Sequence, residues 1–272
     1  MNKKIPHDSY VLLIGAMKCG TGSLFNYLKD HPQICPCVIK EPEYFSDNHG
    51  DRYKEGRYCD LFHFDGNIHK YALEASTGYS KYPAEPHVAE SIYNYGLRPK
   101  LIYIVRNPFD RIISHYNFMS SHETWSLTID SPHLINASNY YLQLEQYRKF
   151  FPKENILVLE FDRLKNQPEE VLKEVYEFLS ISAEYNPEQF SVVNRTKAEN
   201  QTIKNVVKTY GKKLRIIPKP LRELGKKIIR KQFSSKKQTL TESQRTTIDK
   251  ELQPDMLKLQ KEYHIDVSKW GF

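Results

Sequence analysis

The sequence predicts a three-layer α/β fold, a central parallel sheet flanked by helices, on three observations. Short apolar runs alternate with helical patterns along most of the 272 residues. Two of those runs end in short turns that open directly onto helices, after Gly15 and at Arg106. No internal repeat and no Gly/Ser- or Pro-rich linker divides the chain, so 1–272 reads as a single domain with a basic helical region, about 195–264, packed on it. In order, the expected elements are strand 10–15, helix 22–31, strand 70–75, helix 85–95, strand 100–105, helix 108–119, helix 137–150, strand 155–160, helix 168–180 and further helices from about 200. A parallel sheet of this kind holds its ligand at the carboxyl ends of the strands.

The first strand is the apolar run Tyr10-Val11-Leu12-Leu13-Ile14, broken at Gly15 and followed by Ala16-Met17-Lys18-Cys19-Gly20-Thr21-Gly22-Ser23 and then Leu24 to Leu28. A strand feeding a glycine-containing turn and a helix aims backbone N–H groups and the positive end of the helix dipole at one point, which suits a phosphate or sulfate. The turn is P-loop-like but departs from the G-x-x-x-x-G-K-[ST] pattern that serves Mg-ATP, because Lys18 precedes Gly20 and Thr21 follows it. In this respect it resembles the 5′-phosphosulfate loop, G-x-x-K-x-G-T-x-[SA]-L, of sulfotransferases that use 3′-phosphoadenosine 5′-phosphosulfate (PAPS). Carried onto this sequence, the resemblance implies that Lys18, Cys19, Gly20, Thr21, Gly22 and Ser23 bind the donor, and that Lys18 also stabilises charge on the departing phosphate.

Strand 100–105 is followed by Arg106-Asn107-Pro108-Phe109-Asp110-Arg111-Ile112-Ile113-Ser114-His115-Tyr116. Asn107 is a good N-cap and Pro108 suits the first helical position, so the helix starts at once. Phe109, Ile112, Ile113 and Tyr116 recur at helical spacing as its buried face, and Ser114 falls off that face. The segment resembles the same family's 3′-phosphate site, R-N-P-x-x-R-x-x-S-x-Y, which implies that Arg106 and Ser114 hold the nucleotide's 3′-phosphate. A guanidinium fork and a short hydroxyl bond suit a phosphate dianion. Arg111 is either a helper at that site or a solvated surface charge.

Lys40-Glu41-Pro42-Glu43-Tyr44-Phe45 resembles the K-E-x-x-[FY]-F segment of carbohydrate-type and bacterial sulfotransferases, whose first Glu is the proposed base. That implies Glu41 as the group that takes the acceptor's proton; its alternative is an ion pair with Lys40 or a nearby Arg. Glu43 faces the other way if the segment is extended. The run Glu74-Ala75-Ser76-Thr77-Gly78-Tyr79 resembles G-E-[KA]-[ST]-P-x-Y, but Ala75 stands where heparan-type enzymes carry Lys, and Lys81 is the nearest substitute. Glu74, Ser76, Tyr79 and His115 are candidate acceptor-lining residues, or else groups satisfied locally or in the core.

Charge and cysteine content bound the rest. Residues 195–237 carry fifteen Lys and Arg against two Glu, so that stretch holds +13 of a net +7 and the remainder is −6. It reads as an electropositive rim for an anionic donor or as a solvated helical face; the resemblance adds Arg195 and Lys197 as a loop closing over the nucleotide, without the family's Lys-Gly-Arg form. The four cysteines lack zinc-pair spacing and read as free thiols in a reducing compartment. No apolar run reaches membrane-spanning length and no signal-peptide core is seen. The expectation is a cytoplasmic, metal-independent PAPS sulfotransferase acting on a small-molecule hydroxyl or amine, with a saccharide as the alternative acceptor and no nucleic-acid or membrane partner. A non-catalytic polyanion- or nucleotide-binding protein is the rival from a different class.

Overall fold

All six residues of β1 (Tyr10–Gly15) are buried, as the central strand of a sheet covered on both faces must be. The computed structural model describes residues 5–48, 56–120, 125–187, 190 and 238–272. Among these, five strands form one sheet in the order β2-β3-β1-β4-β5, with β2 at Ile34–Pro36, β3 at Tyr71–Ala75, β4 at Lys100–Val105 and β5 at Ile156–Glu160. Every neighbouring pair is parallel: Leu12 lies beside Glu74 on one side and Leu101 on the other, and Tyr103 beside Val158. The chain steps from β1 to β2 and β3 on one flank and to β4 and β5 on the other. The crevice at the carboxyl end of β1 is therefore the topological switch point.

The helices are α1 (Thr21–Leu28), α2 (Val88–Asn94), α3 (Pro108–Met119), α4 (Pro132–Asn136), α5 (Tyr140–Arg148), α6 (Phe161–Asn166), α7 (Pro168–Leu179) and α8 (Glu242–Tyr263). Several boundaries differ from the sequence expectation for local reasons. α1 stops at Leu28 because buried His31 turns the chain into β2, accepting from the Gln33 N–H at 3.0 Å while its other ring nitrogen meets the Ser182 carbonyl at 2.9 Å. β2 escapes detection because it is three residues long and contains Pro36, which an edge strand tolerates. The helix expected over 137–150 begins only at Tyr140, and residues before it form α4.

α8 packs on α4 and α5 through the buried stripe Ile248, Leu252, Met256 and Leu259. Burial of such side chains is worth roughly 1.5–3 kcal/mol each. Asp255, on the same helix, accepts from the N–H groups of Tyr141 and Leu142 at 2.9 and 2.8 Å and so caps the first turn of α5. Burial pushes the Asp255 carboxyl up to about 6. Beyond α8, the Phe272 ring stacks on Phe109 of α3, centroids 5.4 Å apart and 7° from coplanar. The basic stretch 195–237, with Arg195 and Lys197, lies outside the described residues. No helix among the described residues is long and apolar enough to cross a membrane.

Candidate functional site

The turn after β1 is tied to β4 by the Ala16 N–H, which donates to the Ile104 carbonyl at 2.9 Å. Lys18 then adopts a left-handed conformation at φ 72°, and Gly20, at φ 91°, is the N-cap of α1. Glycine is required at position 20 twice over: the φ disfavours side chains, and a Cβ would stand 3.0 Å from the Phe161 ring. The N–H groups of Gly20, Thr21 and Gly22 have no acceptor among the described residues, and they sit at the positive end of the α1 dipole. Cys19 departs from the expected cradle: its N–H is spent on the Ala16 carbonyl at 3.1 Å, and its thiol is fully buried and pushed up to about 11, chiefly by that burial. The Thr21 and Ser23 side chains are also largely buried.

Arg106, at the end of β4, reaches this turn directly. Its Nη1 donates to the Lys18 carbonyl at 3.2 Å, its guanidinium lies over the Phe161 ring at 4.7 Å, and its Nη2 is 3.7 Å from exposed Asp110. Tyr140 fixes the backbone there by donating to the Arg106 carbonyl at 2.7 Å. Asn107 caps α3, accepting from the N–H groups of Phe109 and Asp110 at 3.0 and 3.4 Å, with Pro108 behind it. Ser114 is half-buried on the same helix. The Lys18 ammonium lies 4.3 Å over the Phe118 ring. Burial and then Arg106 lower its pKa from the ordinary value, while Glu41 and Cys19 act in the opposite sense. Lys18 thus feels a guanidinium and a carboxylate together.

The turn that carries Glu41 is not extended. Glu41 and Glu43 both adopt left-handed backbone, at φ 49° and 54°. Glu41 is half-exposed. Glu43 is buried, accepting from Ser46 Oγ at 2.6 Å and from the Gly78 N–H at 2.9 Å, and a Cβ at Gly78 would collide with its Oε2 at 2.0 Å.

Four sequence-derived candidates for acceptor contact need correction, because they have almost no surface. Glu74 and Ser76 are 0% exposed, Tyr79 2% and His115 1%. Glu74 accepts from Tyr58 Oη at 2.6 Å, from Tyr79 Oη at 3.0 Å and from Ser76 Oγ, and burial raises its carboxyl to about 7. His115 meets Arg111 Nη1 through Nδ1 at 3.1 Å; burial, then the Arg111 charge, hold its pKa down at about 2. Arg111 is neither a surface charge nor a phosphate contact. It is fully buried, donating from Nε to Ser138 Oγ at 2.5 Å and from Nη2 to the Leu134 carbonyl. The inner face of α3 is therefore Phe109, Arg111, Ile112 and His115, whereas Ile113 and Tyr116 are only half-buried.

Sequence reasoning passed over Phe161, which contacts both Gly20 and Arg106; its position directly after β5, at the same end of the sheet as the other loops, was the available signal. It also passed over a cavity of about 260 Å³ lined by Lys81, Pro83, His133 and Asn136. His133 lies 6.0 Å from His115, and Trp125 packs against both rings. A larger cavity, about 580 Å³, is lined by Pro6, Ser9, Gln33 and Lys70 near the amino ends of β1 and β3 and holds none of the motif residues, so size alone does not mark the site.

A family model described as a sulfotransferase domain matches residues 8–260. The chain is 26% identical over 211 residues to the mouse bifunctional heparan sulfate N-deacetylase/N-sulfotransferase 4, an alignment covering 68% of this chain and 24% of that protein. It is 29% identical over 189 residues to the human heparan sulfate glucosamine 3-O-sulfotransferase 5, covering 62% and 53%. The chain thus spans about a quarter to a half of the length of these curated relatives. A sulfotransferase crystal structure from Alicyclobacillus acidocaldarius superposes with a TM-score of 0.70 over 98% of this chain and 100% of the other, at 21% identity, a likeness of fold. Because the family model runs from just before β1 into α8, taking in the whole sheet and both charged turns, the chain belongs to the sulfotransferase domain family.

Proposed function

We propose that the protein transfers a sulfuryl group from PAPS to a hydroxyl or amine of a small-molecule acceptor. The observation that carries this reading is the convergence, at the carboxyl ends of β1 and β4, of Lys18, Arg106 and the open N–H groups of Gly20, Thr21 and Gly22, with Glu41 acting on Lys18 as well. Such a donor set fits a nucleotide with anionic groups at both ends. PAPS, when bound, supplies a sulfuryl group already attached to a phosphate leaving group. The open amides of the α1 turn hold the 5′ end, and Arg106 with Ser114 holds the 3′-phosphate. Lys18 meets the negative charge that grows as the sulfuryl group departs, without reorganisation of solvent. Glu41 takes the proton from the acceptor's hydroxyl or amine.

A saccharide acceptor is the second reading, favoured by the heparan sulfate relatives. Four unpaired cysteines suit a reducing compartment, and we place the protein in the cytoplasm as one domain. Calorimetry with 3′,5′-adenosine bisphosphate, AMP, ATP and heparin tests the donor site, and sulfur-35 transfer from PAPS to a small-molecule panel and to desulfated heparin tests the chemistry. Preference for the bisphosphate with label in an acceptor supports the reading. Binding of heparin alone, with no nucleotide preference, identifies a polyanion binder and overturns it.

A further inference from the structure

Beneath the turn that carries Glu41, the buried carboxylate of Glu74 sets the direction of two hydrogen-bond relays. An ionised carboxylate only accepts, so Tyr58, Tyr79 and Ser76 must all donate to it. Each hydroxyl has one proton, and once that proton is given to Glu74 its oxygen can only accept from other groups. Ser76 Oγ accepts from the Glu43 N–H at 3.0 Å, and Tyr79 Oη accepts from the Phe45 N–H at 3.3 Å. Both backbone groups belong to the turn that presents Glu41, whose left-handed residues need external support. The rings reinforce the contact, Tyr58 lying 5.0 Å from Tyr44 and 4.7 Å from Phe45.

We propose that Glu74 is a positioning residue: its carboxylate orients Ser76 and Tyr79 so that they clamp the Glu43 and Phe45 amides and hold Glu41 toward Lys18. The inference rests on the reading of Glu41 as the base. It also has a proton dependence. A proton on Glu74 must be donated to one of the surrounding hydroxyls, and that hydroxyl then turns its own proton outward, toward an N–H it had been accepting. The groups facing Glu74 are Tyr58, Tyr79 and Tyr147, whose phenols burial keeps protonated, the buried Cys37 thiol, and Glu43, whose charge opposes a second one nearby. None of them can supply a compensating cation, so ionisation of Glu74 near neutrality is the step that arms the clamp.

The test uses the full chain with Glu74→Gln and Ser76→Ala. Amide hydrogen exchange at Glu43 and Phe45 is read directly, bisphosphate affinity by calorimetry, and kcat and KM with PAPS on 4-nitrophenol and desulfated heparin as probe acceptors. Expected results are exchange at Glu43 at least tenfold faster in both variants, kcat reduced tenfold or more, and bisphosphate affinity within twofold of the parent. In Glu74→Gln the rise of kcat with pH near neutrality also disappears. Unchanged exchange, or parental kcat, overturns the proposal. So does an equal loss of nucleotide binding and turnover, which marks a general folding role. If Glu74→Gln does not fold, Ser76→Ala carries the same outcomes. Exchange needs no acceptor: a parent protein that fails to bind the bisphosphate refutes the donor assignment, whereas unchanged exchange in one that does bind it refutes only this inference.

Discussion

Replacing Arg106 by Ala separates two contributions that the structure puts on one side chain. Locally, the guanidinium holds the Lys18 carbonyl at 3.2 Å and stacks on Phe161 at 4.7 Å. Loss of these contacts loosens the turn by about 1 kcal/mol and weakens every nucleotide by roughly fivefold. Only a ligand with a 3′-phosphate loses more: a charge-assisted contact of about 1.5–3 kcal/mol, or roughly 10- to 150-fold. The contact to Asp110 is long and that carboxylate is 61% exposed, so its release adds nothing to the difference. Calorimetric titration of parent and Arg106→Ala with AMP and with 3′,5′-adenosine bisphosphate closes a four-cornered cycle. The local term cancels, and the coupling should be at least about 1.5 kcal/mol. If both ligands weaken by the same factor, Arg106 does not recognise the 3′-phosphate and the assignment of the β4 turn fails.

Three further outcomes are expected. Lys18→Ala should lower kcat about a hundredfold while weakening bisphosphate binding far less, because its ammonium meets charge that develops only during transfer; steady-state kinetics beside calorimetry checks the split. Glu41→Gln should retain nucleotide affinity and lose roughly 10²–10⁴-fold in turnover on a hydroxyl acceptor, and near-normal turnover removes Glu41 as the base. The stability that Glu74 and Asp255 contribute should be lost as pH rises from about 4 to about 8, because their folded-state values are raised to about 7 and about 6, while His115, held down at about 2 by burial, acts in the opposite sense over the acid part of that range. Each of the two carboxyls contributes on the order of 3 kcal/mol across that window; urea unfolding at pH 5 and pH 8 should show the stability difference between Glu74→Gln or Asp255→Asn and the parent shifting in the variant's favour at pH 8.

The parallel sheet was readable because β1 and β4 are uninterrupted apolar runs, and the start of α3 because Asn107 and Pro108 spell out a capped helix. The inward side of α3 was not readable. Periodicity weighs apolar residues, and Arg111 with His115, four residues apart, occupies that face through hydrogen bonds to each other and to α4 and the turn after it. Glu74 was hidden for a related reason. A strand covered on both faces shows no alternation, so its one carboxylate could not be assigned to core or cleft, and the hydroxyls of Tyr58 and Tyr79 that satisfy it lie in other segments. Nor does residue type announce a left-handed Glu41 or Glu43; tertiary contacts impose that bend.

The stacking of Phe272 on Phe109 bears on how the protein can be handled. Phe109 is the second residue of α3, three positions after Arg106, and its ring also carries the Arg245 guanidinium at 4.0 Å. The Phe272 ring thereby braces the first turn of the helix that presents Ser114. A label attached at Phe272 or Arg245 would displace the contacts on Phe109 and disturb the turn that presents Arg106 and Ser114 before any mutation was made there. Labels for measuring affinity belong at exposed positions such as Asp8, just before the amino end of β1, at the opposite end of the sheet from both charged turns.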